Sequence, residues 1–158
     1  MTAPTQPRTA GRSISEDLDR TPWGRELPWP AIDTLSGYLV RRTLPTSEAV
    51  FREGDTGLFL CVLVEGTVEI SKATPGGPRP LARFAAGKTF GEQALLDGQP
   101  RSATATAMEP SVVLVLDSQR FGEIELRHPR LVISILRVLA RMLSDRLRLT
   151  SGKLIETL

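Results

Sequence analysis

The sequence predicts an α+β domain, mainly β, with a β-roll first and helices last. Three observations carry this. Between Leu39 and Asp117 short apolar or alternating runs recur: "YLVRRTL", "AVFRE", "LFLCVLVEG", "TVEISKA", "PLARFA", "SATATA" and "SVVLVLD". Turn signals separate them ("EGDTG", "TPGGP", "AAGK", "DGQP", "MEP"), which is the pattern of an all-β sandwich or barrel. After Asp117 the period changes to that of helices.

In chain order, residues 1 to 28 are rich in Pro, Thr, Arg and acids and lack periodicity. They are expected to form a flexible N-terminal arm, with residues 29–158 as the domain proper. Trp23 within it and Trp29 at its border stand out, since large aromatics seldom sit free; docking onto the domain's own surface is the expected use. "PAIDTLSGYL", Pro30 to Leu39, has Pro at its start and apolar residues at helical spacing, so a short helix is expected. In the β region "PGGP" is the clearest tight connection, because Pro fixes φ and Gly permits positive φ. Asp117 or Ser118 can cap a helix over "SQRFGEIEL". His128-Pro129 breaks it and begins a longer helix, to about Gly152.

On that last helix, at about 100° per residue, Arg137, Arg141, Ser144 and Arg148 share one face. Val132, Ile135, Leu136, Leu139, Met142, Leu143 and Thr150 share the opposite one. The basic face reads as solvated, or as a surface for acidic partners. Arg146 breaks the pattern by projecting into the apolar stripe. An unpaired charge there is costly if buried, so Arg146 must snorkel, pair or meet a ligand. Val132, Ile135, Leu139, Met142, Arg146 and Leu149 keep near-heptad spacing, which suits packing on the domain or a helix pair across a twofold axis.

Composition bounds the function. The chain has 158 residues, 41% of them apolar and 24% charged, with a net charge of +2. That fits one globular domain and is too weakly basic to argue for nucleic acid. A single cysteine, Cys61, forms no intramolecular disulfide; in an apolar run it reads as core filler in a reducing compartment. The N-terminus lacks the apolar region of a secretory signal, and no segment reaches the roughly 20 apolar residues of a membrane helix. A cytoplasmic chain without a membrane span is therefore expected. One histidine, His128, leaves no multi-His metal site and little room for a catalytic base, so no enzyme is expected. "GKT" at Gly87 to Thr89 lacks the upstream glycine of a P-loop.

The chemistry concentrates in "FGEQALLDGQPRSATATA", Phe90 to Ala107. As a strand opening into a short helix, it presents helix amides that attract anions. Gly91 admits close approach to the backbone, and Ala94 keeps the mouth open. Arg101 after a Pro-marked turn suits one phosphate, Glu92 suits sugar hydroxyls, and Ser102 adds a hydroxyl. The residue types alone equally allow a surface Glu92–Arg101 ion pair, worth about 0–1 kcal/mol.

The longer string "GKTFGEQALLDGQPRSATATA" closely resembles the phosphate-binding cassette of cyclic nucleotide-binding domains. The family pattern falls on Phe90, Gly91, Glu92, Ala94, Leu95, Leu96, Pro100, Arg101, Ser102, Ala103 and Thr104. "VFREGD" and "VEG" are similar to the family's early strands, and "LDSQRF" followed by "HPRLVISILRVLARMLSDRL" to its B and C helices. The resemblance spans about Leu35 to Leu149. It implies an eight-stranded β-roll or jelly roll with a short N-terminal helix, a cassette helix and C-terminal B and C helices. It also implies a ligand site at Phe90, Gly91, Glu92, Gln93, Ala94, Arg101, Ser102 and Ala103. Arg101 would hold the cyclic phosphate with backbone amides near Gln93, Ala94 and Ser102, and Glu92 the ribose 2′-hydroxyl beside Gly91. Arg146 and Leu147 fall near the position that meets the base. Relatives with a hydroxyl at the Ser102 place bind cAMP, cGMP or both. Bacterial relatives often carry a DNA-binding domain after the C-helix, and no such pair of helices follows here, so a stand-alone sensor is expected. The expected function is a regulatory receptor, catabolite-activator-like or protein kinase A regulatory-subunit-like, for cAMP as first ligand. Its output would pass to another protein or a homodimer through the C-helix, without nucleic acid. The alternatives are a cGMP or cyclic-dinucleotide sensor, or a scaffold module that binds no ligand.

Overall fold

The apolar runs become eight antiparallel strands around two clusters of buried side chains. A computed structural model describes residues 11–156. Its strands are β1 (Val40–Leu44), β2 (Ala49–Phe51), β3 (Phe59–Glu65), β4 (Thr67–Thr74), β5 (Gly77–Ala85), β6 (Thr89–Phe90), β7 (Thr104–Ala107) and β8 (Ser111–Asp117). They form two four-stranded sheets, ordered β1-β8-β3-β6 and β2-β7-β4-β5. β3 and β8 are nearly continuous apolar runs because both their faces are buried. Leu60, Val62, Leu114 and Leu116 face a core shared with the helices. Cys61, Leu63 and Val113 face the interior of the roll, among Leu44, Val50, Val68 and Phe90.

Turn chemistry sets the register. Thr74 pairs with Gly77 across Pro75-Gly76, as the "PGGP" string predicts. At Gly66, between β3 and β4, φ is +96° and an added Cβ would lie 2.1 Å from Ser111 Oγ, so no other residue fits there.

Among the described residues six helices flank the roll: α1 (Ile14–Asp19), α2 (Pro22–Glu26), α3 (Trp29–Ser36), α4 (Glu92–Asp97), α5 (Ser118–Arg127) and α6 (Pro129–Glu156). The fold is the expected α+β roll with a cassette helix and two C-terminal helices. Asp117 is the cap of α5, accepting from the Arg120 N–H at 2.8 Å.

Two expectations meet a different arrangement. The stretch read as an arm forms two packed helices from Ile14 on. Leu18, Trp23 and Leu27 lie in the helix-side core, and Asp17, 2% exposed, is held by Arg12 and Arg41. Ser13 and Thr21 cap these helices, a signal too short to stand out in a polar segment. Packing therefore does not change at residue 28; residues 1–10 of the expected arm lie outside the described residues. Trp23 docks on the domain as expected, while Trp29 is half exposed.

The apolar stripe of α6 is also two seams rather than one. Leu131, Ile135, Val138 and Leu139 are buried, with Met142 packed against them. Leu136 and Leu143 turn away from that seam, because residues one apart on a helix diverge by about 100°. No helix among the described residues is long and apolar enough to cross a membrane, and no cluster there would hold a metal.

Candidate functional site

Gly91 creates the site's geometry. It caps α4 in the left-handed region, φ 76°, and turns the chain sharply from β6 into the helix. A Cβ here would meet Arg101 Nη1 at 3.0 Å and the Phe51 ring at 3.1 Å, so the absent side chain makes room for the guanidinium. α4 ends on a second left-handed glycine, Gly98, and the chain returns through Pro100 to Arg101. The backbone of Arg101 is pinned to the β2–β3 loop: its N–H donates to Asp55 O, and its carbonyl accepts from Gly54 N–H, both at 2.8 Å.

The Arg101 side chain is 5% exposed and has no carboxylate partner among the described residues. Nη1 donates to Gly91 O at 2.7 Å and Nη2 to Phe59 O at 2.5 Å. The guanidinium lies 4.0 Å from the Phe51 ring centre and 4.5 Å from that of Phe59. Its Nε is buried without a partner. Burial pulls its pKa below the usual arginine value, and the fields of Cys61, Asp55 and Glu92 offset this only in part. A buried cation balanced by dipoles and ring faces alone is left for an anion.

Glu92, 2% exposed, opens α4. Its Oε1 accepts from Arg146 Nη1, and its Oε2 is buried without a partner. Arg146 Nη2 also donates to Thr89 O at 2.5 Å. The charge that breaks the α6 stripe is therefore paired. The surface Glu92–Arg101 ion pair does not form: both groups are buried, and the carboxylate's partner is Arg146.

These groups line one cavity of about 240 Å³. Phe90, Gly91, Glu92, Gln93, Ala94, Arg101, Ser102, Ala103 and Arg146 all contribute to its wall. Leu147 does not: it is 68% exposed, a helical step away from Arg146. Phe51, Ile70 and Phe84 form an apolar floor, and Asp97, Gln99 and Pro100 complete the wall. Sequence reasoning missed this floor and the stacking role of Phe59, since strand phenylalanines read only as core. Lys72 fixes the Ser102 carbonyl at 2.8 Å. Cys61 lies behind the site as a buried thiol, its pKa pushed up to about 12 by burial, and acts as a small apolar group. The constellation offers a cation with unused donors and a carboxylate with an unused acceptor, above an apolar surface.

The model of the cyclic nucleotide-binding domain family matches residues 41–128, more than half of the chain. The cyclic AMP receptor protein of Thermus thermophilus is 33% identical over 115 residues, covering 72% of this chain and 53% of that protein. The chain thus spans about half the length of this relative. A cyclic nucleotide-binding domain from Methylobacillus flagellatus superposes with a TM-score of 0.80 at 25% identity, covering 92% of this chain and 83% of that one. The regulatory domain of Toxoplasma gondii protein kinase A, solved with cAMP, gives a TM-score of 0.63 at 25% identity, covering 75% and 46%.

Proposed function

This chain belongs to the cyclic nucleotide-binding domain family, and from that premise we propose that it is a non-enzymatic cAMP receptor module that reports occupancy through α6. One observation carries the reading. Arg101, a buried cation without a carboxylate partner among the described residues, lines one cavity with Glu92, and each has a buried polar atom without a partner. A cyclic phosphate accepts from the first and a ribose hydroxyl donates to the second. Arg101 has five N–H donors, of which two serve backbone carbonyls, so donors remain for a phosphate. The amides at the start of α4, at Gln93 and Ala94, and that of Ser102 support the same anion.

Arg146 occupies only one oxygen of Glu92, so a sugar hydroxyl and Arg146 can share the carboxylate. Arg146 also lines a second cavity of about 260 Å³ between α2 and α6, so its movement joins the two spaces. We place the base toward Arg146. Ligand contact with Glu92 then biases the position of α6, a population shift. The output passes in the cytoplasm to another protein or a second copy, because an apolar helix face suits a protein surface better than a phosphate backbone. The near-heptad set expected to pair helices is unavailable for this, since Ile135 and Leu139 are buried in the domain itself.

Calorimetric titration with cAMP, cGMP and a cyclic dinucleotide tests the proposal, with cAMP expected to bind one site per chain. Absence of heat and of thermal stabilisation with all three would sink it. That outcome would leave the protein-interaction module, which the exposed apolar face of α6 supports.

A further inference from the structure

The face of α6 turned away from the domain carries a second pattern. Ile133, Leu136, Ala140, Leu143, Leu147 and Thr150 recur at alternating intervals of three and four residues. That is the spacing of a helix-pairing seam, and five of the six are apolar. Ile133, Leu136 and Leu147 are 53%, 41% and 68% exposed. The domain core takes the opposite face, through Leu131, Ile135, Val138 and Leu139.

The charges beside the seam decide its partner. α6 carries six cations and two acids, a balance of +4 against +2 for the whole chain. Arg130, Arg137 and Arg148 form an exposed row along one flank and make no ion pair among the described residues. The two acids, Asp145 and Glu156, project nearly opposite the seam at about 100° per residue, so neither reaches a helix packed on it. The other flank is the domain itself, with Leu139 buried and Arg146 committed to Glu92. Two copies pairing in either sense would bring no carboxylate to the arginine row. A different helix with acids along that flank would meet it with opposite charge.

We propose that this face docks an amphipathic helix of another protein, apolar at three-and-four spacing and acidic along the flank that meets Arg130, Arg137 and Arg148. This deepens the output role assigned to α6, yet its test needs no nucleotide.

Two synthetic helical peptides of about three heptads serve as probes. Both carry Leu at the seam positions; one has Glu and the other Lys at the flanking positions. Fluorescence anisotropy against the full chain should show the Glu peptide binding roughly tenfold or more tighter at low salt. The preference should shrink near 1 M salt, where screening reaches about 3 Å. Leu136→Asp should abolish Glu-peptide binding and Arg137→Glu should remove the preference, with unchanged circular dichroism melts. Equal affinity for the two peptides, binding of neither, or a Leu136→Asp-sensitive dimer in sedimentation that excludes the peptide would overturn the proposal. Titrating cAMP into the same samples separates the two claims. Nucleotide heat without peptide binding overturns the docking surface alone, and peptide binding without nucleotide heat overturns the receptor reading alone.

Discussion

Arg101 is the residue whose removal should be felt twice, once in binding and once in folding. Its two charge-assisted bonds to Gly91 O and Phe59 O leave three N–H groups for an anion. A phosphate taking two of them gains about 1.5–3 kcal/mol per bond, so Arg101→Ala should weaken cAMP by about 10²–10⁴-fold. The same change leaves the Gly91 and Phe59 carbonyls without their donor, at about 1–3 kcal/mol each. At about 2–4 °C per kcal/mol for a domain of this size, the ligand-free melting temperature should drop by roughly 5–20 °C. Arg101→Lys separates the effects, since it keeps the charge but lacks the planar fork. It should fold better than Arg101→Ala and still bind at least about tenfold more weakly than the parent. The assay is calorimetric titration alongside a melt of each variant without ligand. Wild-type affinity in Arg101→Lys would refute the phosphate assignment whatever the melts show.

Glu92→Gln should weaken cAMP by roughly tenfold and loosen the hold on Arg146, so limited proteolysis within α6 should accelerate; unchanged affinity and cleavage would remove Glu92 from both roles. Trp23→Phe deletes the 2.9 Å bond from Nε1 to the buried Thr89 hydroxyl and should cost about 1 kcal/mol, a fall of roughly 2–4 °C. An unaltered melt would show that this bond contributes no net stability. Cys61 should resist alkylation in the native state and react once the chain unfolds, because its pKa is pushed up to about 12. An unfolded thiol titrates near pH 8.5, so above that the unfolded state binds fewer protons than the native one, and stability should fall with pH. The slope from this one group is roughly 1 kcal/mol per pH unit, and Cys61→Ala should lack that component in pH-dependent denaturation.

The roll was legible because β3 and β8 announce themselves twice, by unbroken apolar runs and by the turns that bound them. The cassette was legible because its glycines, arginine and glutamate sit at fixed spacing around one short helix. Nine of the ten site residues expected from the sequence do line one cavity. The exception, Leu147, shows the limit of positional reasoning, because one helical step turns a residue from pocket wall to open surface. The helices before Pro28 were hidden for another reason. Five- and six-residue helices lack the length for a periodic signal, and their stability comes from burying Leu18 and Trp23 against strands far along the chain. Arg146 was flagged as a charge out of place, but only folding reveals that its partner is a residue 54 positions away.

Under the proposed reading, Thr89 and Glu92 are the means by which so small a site would govern so long a helix. The buried seam of α6 ends near Met142, and no residue beyond it is buried. Among the described residues, two side-chain contacts tie the distal half to the domain: Arg141 on Glu26 of α2, and Arg146 on Glu92 and Thr89. Thr89 also accepts from Trp23, so α2 and α6 both hang on the two-residue strand that leads into the cassette. A ligand that engages Glu92 alters one of the two contacts directly and leaves the apolar seam untouched. The part of α6 it can move is then the part carrying Leu143 and Leu147 of the exposed face. Binding free energies are reciprocal, so a partner helix that favours one position of this segment must change cAMP affinity by the same factor that cAMP changes its own.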